Sequence, residues 1–427
     1  MNEVERSVKS TGGIALIRRL PRNVWVVTIT SFLTDISSEM LINLIPLFLS
    51  NVLGVRTVVI GLIETVATAA VSLLKLISGW LSDRLGTRKW LAVLGYGVST
   101  VAKPFMYFAT SWGWVLGVRF ADRAGKGLRT APRDAMVVDS VDEDQRGLAF
   151  GMHRAGDTLG ALIGHAIAIG VVLAVQRGAT TLARDTFQIV VLISIIPAAL
   201  AVAVLAIGAR EATRIKRQPT RRLESVEEAR FSTTGFNRRF RLFLAIITLF
   251  TLGNSSDFFL TLRAQSAGLS VVGVLGVWIV MNLVYSLVST PAGVLSDRVG
   301  RRKLLITGWT LYLLVYLGFA LATSDWQVWV LMAAYGLYYG LSEGVTKAFV
   351  ADLVPQDKRG TAYGVFNAAI GFASLPANLI AGALWQGVGK WKGFGPSAPF
   401  LYGAALALLA LVLLIKLPEE DASLVTE

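Results

Sequence analysis

The sequence predicts an all-α integral membrane protein with twelve transmembrane helices in two pseudo-symmetric six-helix bundles. Three observations predict this fold. Of the 427 residues, 54% are hydrophobic and only 16% are charged, which is too apolar a balance for a soluble chain of this length. Apolar stretches of about 20 residues, enough to cross a bilayer as a helix, recur along the chain. Finally, segments of the first half reappear in the second half at nearly one offset, which indicates a duplicated unit.

The apolar stretches define twelve predicted spans. They run over residues 24–50, 58–80, 90–110, 113–137, 148–174, 188–208, 242–262, 271–295, 304–323, 327–350, 361–386 and 398–416. The fourth, fifth and tenth spans carry charges and are weakly apolar, but the spacing of the others requires crossings there. The first 23 residues are polar and basic, and the apolar run after them is too long for a cleaved signal, so the chain is expected to start in the cytoplasm.

Lysine and arginine in the short loops predict the orientation, because basic loops stay in the cytoplasm. One face carries Arg18, Arg19, Arg22, Arg84, Arg88, Lys89, Arg298, Arg301, Arg302, Lys303, Lys358, Arg359 and the basic linker 209–241. The opposite face carries Arg56, Arg177, Arg184, Arg263, Lys390 and Lys392. Both termini are therefore expected in the cytoplasm of a multi-pass protein of the cell (inner) membrane. The net charge of +13 then reflects topology and contact with anionic lipid, and no nucleic-acid partner is expected.

Internal repeats predict the domain organisation. The pairs are Gly79–Lys89 with Gly293–Lys303 at a shift of 214, Asp139–Gly147 with Asp352–Gly360 at a shift of 213, and Ser37-Ser38-Glu39 with Ser255-Ser256-Asp257. We therefore expect an N-terminal six-helix bundle over 1–208, a basic cytoplasmic linker over 209–241, and a C-terminal six-helix bundle with a short tail over 242–427.

The repeated loop motif, G-x-L-x-D-R-x-G-x-R-K, carries a family resemblance. With a copy in each half, the chain resembles the major facilitator superfamily along essentially its whole length. The segments Asp35–Met40 and Asp122–Asp134 resemble one bacterial branch of it. The resemblance implies alternating access by two rocking halves, with a gating role for Asp83 and Asp297. The basic residues of the motif have an alternative role as topology signals. The predicted gating positions are Gly79, Asp83, Arg84, Gly86, Arg88, Gly293, Asp297, Arg298, Gly300 and Arg302.

Ionisable residues inside predicted spans indicate function, because they are costly in lipid. Asp35 and Glu39 lie one turn apart on one face of the first span, and His153 and Asp157 lie one turn apart on the fifth. Buried carboxyl and imidazole groups can exchange protons near neutral pH, so these four are the predicted proton-coupling residues. An interhelical hydrogen bond is the alternative role for His153, and His165 is expected to be a packing residue.

The fourth span carries a basic stripe of Arg119, Arg123, Lys126 and Arg133, with Arg129 just beside it. This stripe must face other helices or an aqueous cavity, because facing lipid would be prohibitive. The excess of basic residues favours an anionic solute. The alternative is an internally paired or proton-relay network, with Asp122 beside Arg119 or Lys126 and Asp134 beside Arg133. The second half has aromatic and amide residues at the equivalent positions, which favours an amphipathic organic solute. The predicted substrate-binding residues are Arg119, Arg123, Lys126, Arg129, Glu64, Lys75, Asp257, Tyr339 and Glu343.

Together these features predict a secondary active transporter of a small amphipathic, anionic organic solute. Three glycines of Gly156–His165 match the exporter motif G-x-x-x-G-P-x-x-G-G, with Ala161 in the proline position, which favours proton-coupled export by antiport. Proton-coupled import of an organic anion is the alternative, and a non-transporting receptor is less favoured. With 0 Cys, 2 His and no Gly-rich phosphate loop, we expect no enzyme, metal site or cofactor. The expected partners are the solute, protons and the lipid bilayer, and we expect a monomer.

Overall fold

The protein is described by a computed structural model that covers residues 20–142, 145–176, 179–211, 236–355 and 358–418. Positions 76, 83, 146, 147, 360 and 361 are described by their backbone alone. The described residues form helices and short connections, which confirms the predicted all-α fold. Arg18, Arg19, Arg177 and most of the linker 209–241 lie outside the described residues, as does the side chain of Asp83.

The α-helices follow one another as twelve segments, two of which are interrupted. In chain order they are α1 (Arg22–Ile42), α2 (Leu44–Leu47), α3 (Thr57–Leu85), α4 (Lys89–Ala102), α5 (Trp112–Val138), α6 (Arg146–Gln176), α7 (Arg184–Gly208), α8 (Arg238–Gly253), α9 (Asp257–Ser266), α10 (Val271–Val299), α11 (Arg301–Leu321), α12 (Asp325–Asp352), α13 (Arg359–Gln386) and α14 (Ala398–Ile415). A five-residue π-helix (Phe48–Val52) follows α2, and a 3₁₀ helix (Lys103–Phe108) follows α4. The interrupted segments are α1 with α2 and α8 with α9.

Nine of these segments, within the described part of the chain, are long and apolar enough to cross a membrane. The exceptions are α4, α5 and α12. The third segment was predicted as one span over residues 90–110, but α4 has 14 residues and passes into a 3₁₀ helix that contains Pro104. The charges of α5 and α12 lower their hydropathy, as expected. Helix α6 was predicted to be weakly apolar because of its charges, but an 18-residue window within Leu148–Gln176 reaches a mean hydropathy of 2.2.

Contacts divide the chain into two compact units. The first contains the described residues of Met1–Phe48, Ala70–Arg177 and Leu182–Arg217, and the second contains those of Leu49–Ala69, Gly178–Thr181 and Gln218–Glu427. In the first unit, α1 packs on α6 and α7, and α4 packs on α5 and α7. In the second unit, α8 packs on α13 and α14, and α11 packs on α12 and α14. The helix pairs of the second unit are thus those of the first, displaced by six segments.

Close-packed glycines repeat with the same displacement. A Cβ at Gly95 would lie 2.7 Å from Arg129, and a Cβ at Gly308 would lie 2.3 Å from Ser342. Each of these two contacts maps onto the other by a shift of 213. The duplication seen in the sequence is therefore also present in individual helix contacts. The residue that packs against the glycine is an arginine in the first half and a serine in the second.

The first part of α3 packs within the second unit. The Thr57 hydroxyl donates to the carbonyl of Gly382 at 3.0 Å, and the Thr65 hydroxyl donates to the carbonyl of Leu375 at 3.2 Å. A Cβ at Gly61 would meet the carbonyl oxygen of Asn378 at 2.4 Å, so α3 and α13 approach closely here. These contacts account for the grouping of Leu49–Ala69 with α13.

Candidate functional site

A charged cavity lies inside the first unit. It has a volume of about 60 Å³, which admits a few water molecules. Five basic and three acidic side chains line it together with an apolar end: Lys103, Arg119, Arg123, Lys126 and Arg129; Asp35, Glu39 and Asp122; and Leu41, Ile42, Ile45, Met106 and Val118. The described lining is therefore basic in balance and amphipathic in character.

Two of the predicted arginines are held by neighbouring side chains. Arg119 is 3% exposed, and its guanidinium lies 3.8 Å from the carboxylate of Asp122. Arg129 is also buried, donates to the hydroxyl of Ser99 at 2.7 Å, and stacks over the ring of Tyr96 at 4.4 Å. Such contacts fix the position of both guanidinium groups and give Arg129 a structural role in the α4–α5 interface.

Lys126 also lines the cavity, but unlike these two arginines it is exposed. Arg123 lies one turn before it and is half-buried. The predicted stripe thus begins at a buried, paired residue, Arg119, and reaches an exposed one, Lys126. Arg133, the last residue of the predicted stripe, does not contribute to the described lining. An exposed cation can replace bound water by a ligand at a lower free-energy cost than a buried cation, which must first give up its protein partners.

A fifth cation of the cavity, Lys103, was missing from the predicted site. Its ammonium donates to the hydroxyls of Ser37 and Ser38, the second at 3.2 Å, and it is buried. Ser37 in turn donates to the carbonyl of Ser194 at 2.6 Å. The signal in the sequence was a lysine in the middle of the third span, which belongs to no motif.

The acidic pair lies where α1 meets the glycines of α6. Asp35 and Glu39 both line the cavity. A Cβ at Gly160 would lie 3.1 Å from the Cβ of Asp35 and 2.5 Å from the carbonyl oxygen of Phe32. A Cβ at Gly164 would lie 3.2 Å from the Cβ of Glu39. The segment that resembles the exporter motif therefore packs directly against the helix that carries both carboxylates.

His165 also belongs to this interface, although the sequence indicated a packing role. Its Nε2 lies 3.8 Å from the Glu39 carboxylate and 2.8 Å from the amide nitrogen of Asn43, and its Nδ1 lies 2.8 Å from the carbonyl of Ala161. A carbonyl can only accept, so Nδ1 carries the proton and Nε2 accepts from Asn43. The ring is therefore held between Asn43 and the backbone of its own helix, beside the Glu39 carboxylate.

The second predicted proton pair lies elsewhere on α6. His153 Nδ1 is 3.2 Å from the Asp157 carboxylate. Ser31 connects this pair to the cation of α5, because its hydroxyl bonds to Asp157 and accepts from Arg133 at 3.3 Å. Arg133 also forms a two-pronged ion pair with Asp134, at 2.9 and 2.8 Å. The described lining of the cavity does not include His153 or Asp157.

The structure does not bring Glu64 and Lys75 to this cavity. Glu64 belongs to the part of α3 that packs in the second unit, and Lys75 is exposed on the part that belongs to the first. Neither contributes to the described lining.

In the second unit, the predicted residues lie in an aromatic and acidic group. Tyr335 donates to Asp257 at 3.2 Å. Glu343 accepts from Tyr285 at 2.6 Å and from Lys347 at 3.0 Å. The ring of Tyr339 packs edge-on against Tyr285, Tyr335 and Tyr338. Asp257 follows the interruption between α8 and α9, where Asn254 accepts from Tyr312 and Tyr316.

The loop motif has glycines at the turns where its geometry requires them. Gly86 has φ +68° and Gly300 has φ +100°, a left-handed conformation that favours glycine. Arg84 packs over the ring of Trp80 at 5.2 Å, and Arg302 donates to the carbonyl of Ile415 at 2.7 Å. Neither Gly79 nor Gly293 is tightly packed, because a Cβ at Gly79 would meet Ala131 at 3.5 Å and one at Gly293 would meet nothing within 4 Å. Arg298 is exposed.

An arginine–aspartate pair repeats beside each copy of the motif. Arg88 lies 3.4 Å from the Asp139 carboxylate, and Arg301 pairs with Asp352 and, at 3.2 Å, with Asp297. The two pairs are related by a shift of 213. The motif aligns Arg88 with Arg302, but the ion pairs show that Arg301 occupies the equivalent position. The aspartates were visible in the sequence as the start of the second repeated segment.

Repeated helical units, interrupted helices and a buried charged cavity define a membrane transport protein. The family model of the Major Facilitator Superfamily matches residues 27–290 and 276–427, and the chain belongs to this superfamily. An uncharacterized MFS-type transporter of Methanocaldococcus jannaschii is 34% identical over 404 residues, covering 93% of this chain and 95% of that protein.

Solved structures agree on the fold. The nucleoside transporter NupG matches with a TM-score of 0.75 and 14% identity, covering 93% of this chain and 100% of that chain. A D-xylose–proton symporter matches with a TM-score of 0.74 and 16% identity, covering 94% and 98%. At these identities the likeness concerns the fold alone.

Proposed function

We propose that this member of the superfamily is a proton-coupled secondary transporter of a small amphipathic, anionic organic solute, and that it works by alternating access. The observation that carries the proposal is the lining of the cavity in the first unit, where five basic side chains outnumber three acidic ones beside an apolar end. An anion with an apolar body complements such a lining, since its charge offsets the excess of cations and its body replaces water at Leu41, Ile42 and Val118.

The proposed coupling groups are Asp35 and Glu39, with His165 added to them. The two carboxylates line the same cavity as Arg123 and Lys126. Binding of a proton and binding of an anion would therefore both change the net charge of this cavity. In antiport the proton and the solute must occupy this region in turn, so we propose that they compete for the region formed by Asp35, Glu39 and the basic residues of α5. His153 and Asp157 form a separate pair on α6, which we propose as a second proton site.

We propose export by antiport as the direction, supported by the packing of the glycines of α6 against the acidic pair of α1. Proton-coupled import of an organic anion is the second candidate, because protonation of Asp35 or Glu39 makes the lining more positive and would by itself favour binding of the anion. The proposal includes twelve membrane spans, six in each bundle, a basic linker over 209–241 and both termini in the cytoplasm. It further includes a monomer in the cell membrane.

The test begins with a thermal-shift screen of the purified protein against anionic, cationic and neutral metabolites. Ligands that bind the folded state raise the melting temperature by mass action, so the screen needs no prior choice of solute. We expect anionic amphiphiles to give the larger shifts. A response confined to cations or neutral sugars would overturn the assignment of charge.

Asp35→Asn is the test of coupling. Everted vesicles with an acidic lumen receive a solute found in the screen, and a pH-sensitive dye follows the lumen. Antiport moves solute inward and protons outward, so the lumen becomes less acidic, whereas symport gives no such exchange. We expect Asp35→Asn to abolish the dye response. The solute should still raise the melting temperature of the Asp35→Asn protein.

Asp185→Asn is the matched control, because Asp185 is an exposed carboxylate in the first turn of α7. It should exchange protons like the unmodified chain. Full proton exchange by Asp35→Asn would refute the role given to that carboxylate, and solute-independent exchange in every variant would refute coupling itself.

A further inference from the structure

A pocket in the second unit gathers basic side chains on a face of the chain that has few of them. The pocket has a volume of about 520 Å³, and Arg56, Lys390 and Lys392 line it with Gln386 and Trp391. The loops assigned to this face carry six basic residues, so half of them line one pocket. The described lining contains no acidic side chain.

The loop that carries both lysines has a defined backbone. Gly387, Gly389, Gly393 and Gly395 have φ values of 75°, 60°, 72° and 91°, which other residues rarely adopt. The loop folds back on the end of α13, because the amide of Phe394 donates to the carbonyl of Leu384 at 2.7 Å. A Cβ at Gly387 would lie 1.9 Å from the carbonyl oxygen of Trp391. The backbone that carries both lysines is therefore constrained on either side of them.

Arg56 is held at the rim of this pocket by the end of α13. One of its terminal nitrogens, Nη2, donates to the carbonyls of Gln386 at 2.9 Å and Gly387 at 2.8 Å. The Gln386 side chain accepts from the amide of Thr57 at 2.7 Å. A guanidinium has five N–H donors in a planar fork, so these bonds orient Arg56 while other donors can serve a ligand.

We propose that this pocket binds a phosphate-bearing anion, either a free phosphate or the headgroup of an anionic lipid. Two ammonium groups and an oriented guanidinium match the charge and the acceptor oxygens of a phosphate. Trp391 supplies the amphipathic ring that proteins place at the membrane–water boundary. The bound anion bridges Arg56, ahead of α3, to Lys390 and Lys392, behind α13, and so holds these two connections together.

The experiment uses the full chain and a paired design. The melting temperature is measured in detergent with inorganic pyrophosphate, at ionic strength matched with sodium chloride, and in nanodiscs of phosphatidylcholine with or without phosphatidylglycerol. The test variant carries Lys390→Gln and Lys392→Gln. The control carries Lys303→Gln and Lys416→Gln, which remove the same charge from exposed positions outside the pocket.

We expect pyrophosphate or phosphatidylglycerol to raise the melting temperature of the unmodified chain and of the control. The test variant should need about 10-fold more ligand for the same shift, a loss of roughly 1.4 kcal/mol of binding free energy. A response to pyrophosphate assigns a free anion, and a response to phosphatidylglycerol alone assigns a lipid headgroup. No shift in the unmodified chain, or an equal shift in the test variant, overturns the proposal. A solute transporter without this site would still pass the coupling test above.

Discussion

At the residue scale, the basic side chains of the cavity differ in what holds them. Arg129 is fixed by the hydroxyl of Ser99 and the ring of Tyr96, and Lys103 is fixed by the serines of α1. Lys126 is exposed at the same cavity. The fixed cations shape the local field, whereas the accessible one can exchange water for a ligand. Helical spacing placed Lys126 and Arg129 near each other on α5, but it could not separate these two roles, because the partners of Arg129 lie on α4.

This difference predicts opposite outcomes for Lys126→Gln and Arg129→Gln. Lys126→Gln should change the free energy of unfolding by less than about 1 kcal/mol and weaken binding of the anionic solute about 10-fold. Arg129→Gln should lower the free energy of unfolding by about 2–4 kcal/mol, because it removes a charged hydrogen bond and a cation–π contact from a buried site. Thermal melts with and without solute measure both. A larger stability loss in Lys126→Gln than in Arg129→Gln would contradict this division.

The two histidines differ in whether their partners could be predicted from the sequence. The spacing of His153 and Asp157 predicted a pair one turn apart, and the two lie 3.2 Å apart. His165 has no such neighbour in its own helix, because Asn43 and Glu39 approach it from α1. A contact between residues more than 100 positions apart leaves no local pattern, so its interpretation as a packing residue missed the carboxylate beside it.

At the scale of elements, the α1–α6 contact depends on glycines spaced by four. A Cβ at Gly160 would lie 2.5 Å from the carbonyl oxygen of Phe32, and a Cβ at Gly164 would lie 2.5 Å from that of Ile36. The two backbones are therefore in direct contact beside the acidic pair. The sequence marked the same glycines as part of the exporter motif, but the identity of the partner helix required the structure. It likewise could not predict the 3₁₀ helix at Lys103–Phe108, which shortens α4.

Gly160→Ala should accordingly separate α1 from α6. The added methyl group meets backbone that cannot rotate away, so we expect a loss of about 1–3 kcal/mol in the free energy of unfolding. Gly170→Ala in the same helix is the matched control, since a Cβ there meets nothing within 4 Å. Its higher helix propensity should leave stability unchanged or raise it by up to about 1 kcal/mol. Equal melting temperatures for the two variants would show that the close approach is not required.

At the scale of the whole molecule, the duplication predicted from sequence reappears in which helices pack together within each unit. The offset of about 213 could be measured from the loop motif because glycines and charges repeat there. The divergence between the halves was visible too, as charged residues in the first half and tyrosines in the second. The sequence could not predict that Leu49–Ala69 would pack with α13, since the contacts involve small residues and carbonyls that carry no pattern.

The repeated ion pairs give the final prediction, because equivalent contacts in two halves should have equivalent effects. Asp139 pairs with Arg88, and Asp352 pairs with Arg301. These carboxylates are 43% and 49% exposed, so each pair contributes about 0–1 kcal/mol and its loss should barely change the melting temperature. Asp139→Asn and Asp352→Asn should nevertheless both change the rate of solute-driven proton exchange in the same direction, by up to about five-fold, because a 1 kcal/mol bias between two conformations is sufficient for that.

Exchanging the partners, Arg88→Asp with Asp139→Arg, separates the ion pair from other effects of the mutation. The exchange keeps the attraction and should restore the rate to within about two-fold of the unmodified chain, whereas either half of the exchange alone places like charges together and should be the slowest or fastest of the set. Proton exchange in the same vesicles is measured for the two single variants, the double variant and the unmodified chain. If only one of the two aspartates changed the rate, the halves would not act as equivalents in the conformational change. Failure of the exchange to restore the rate would show that Arg88 does not act through Asp139 alone; it also donates to the hydroxyl of Ser82 at 2.8 Å.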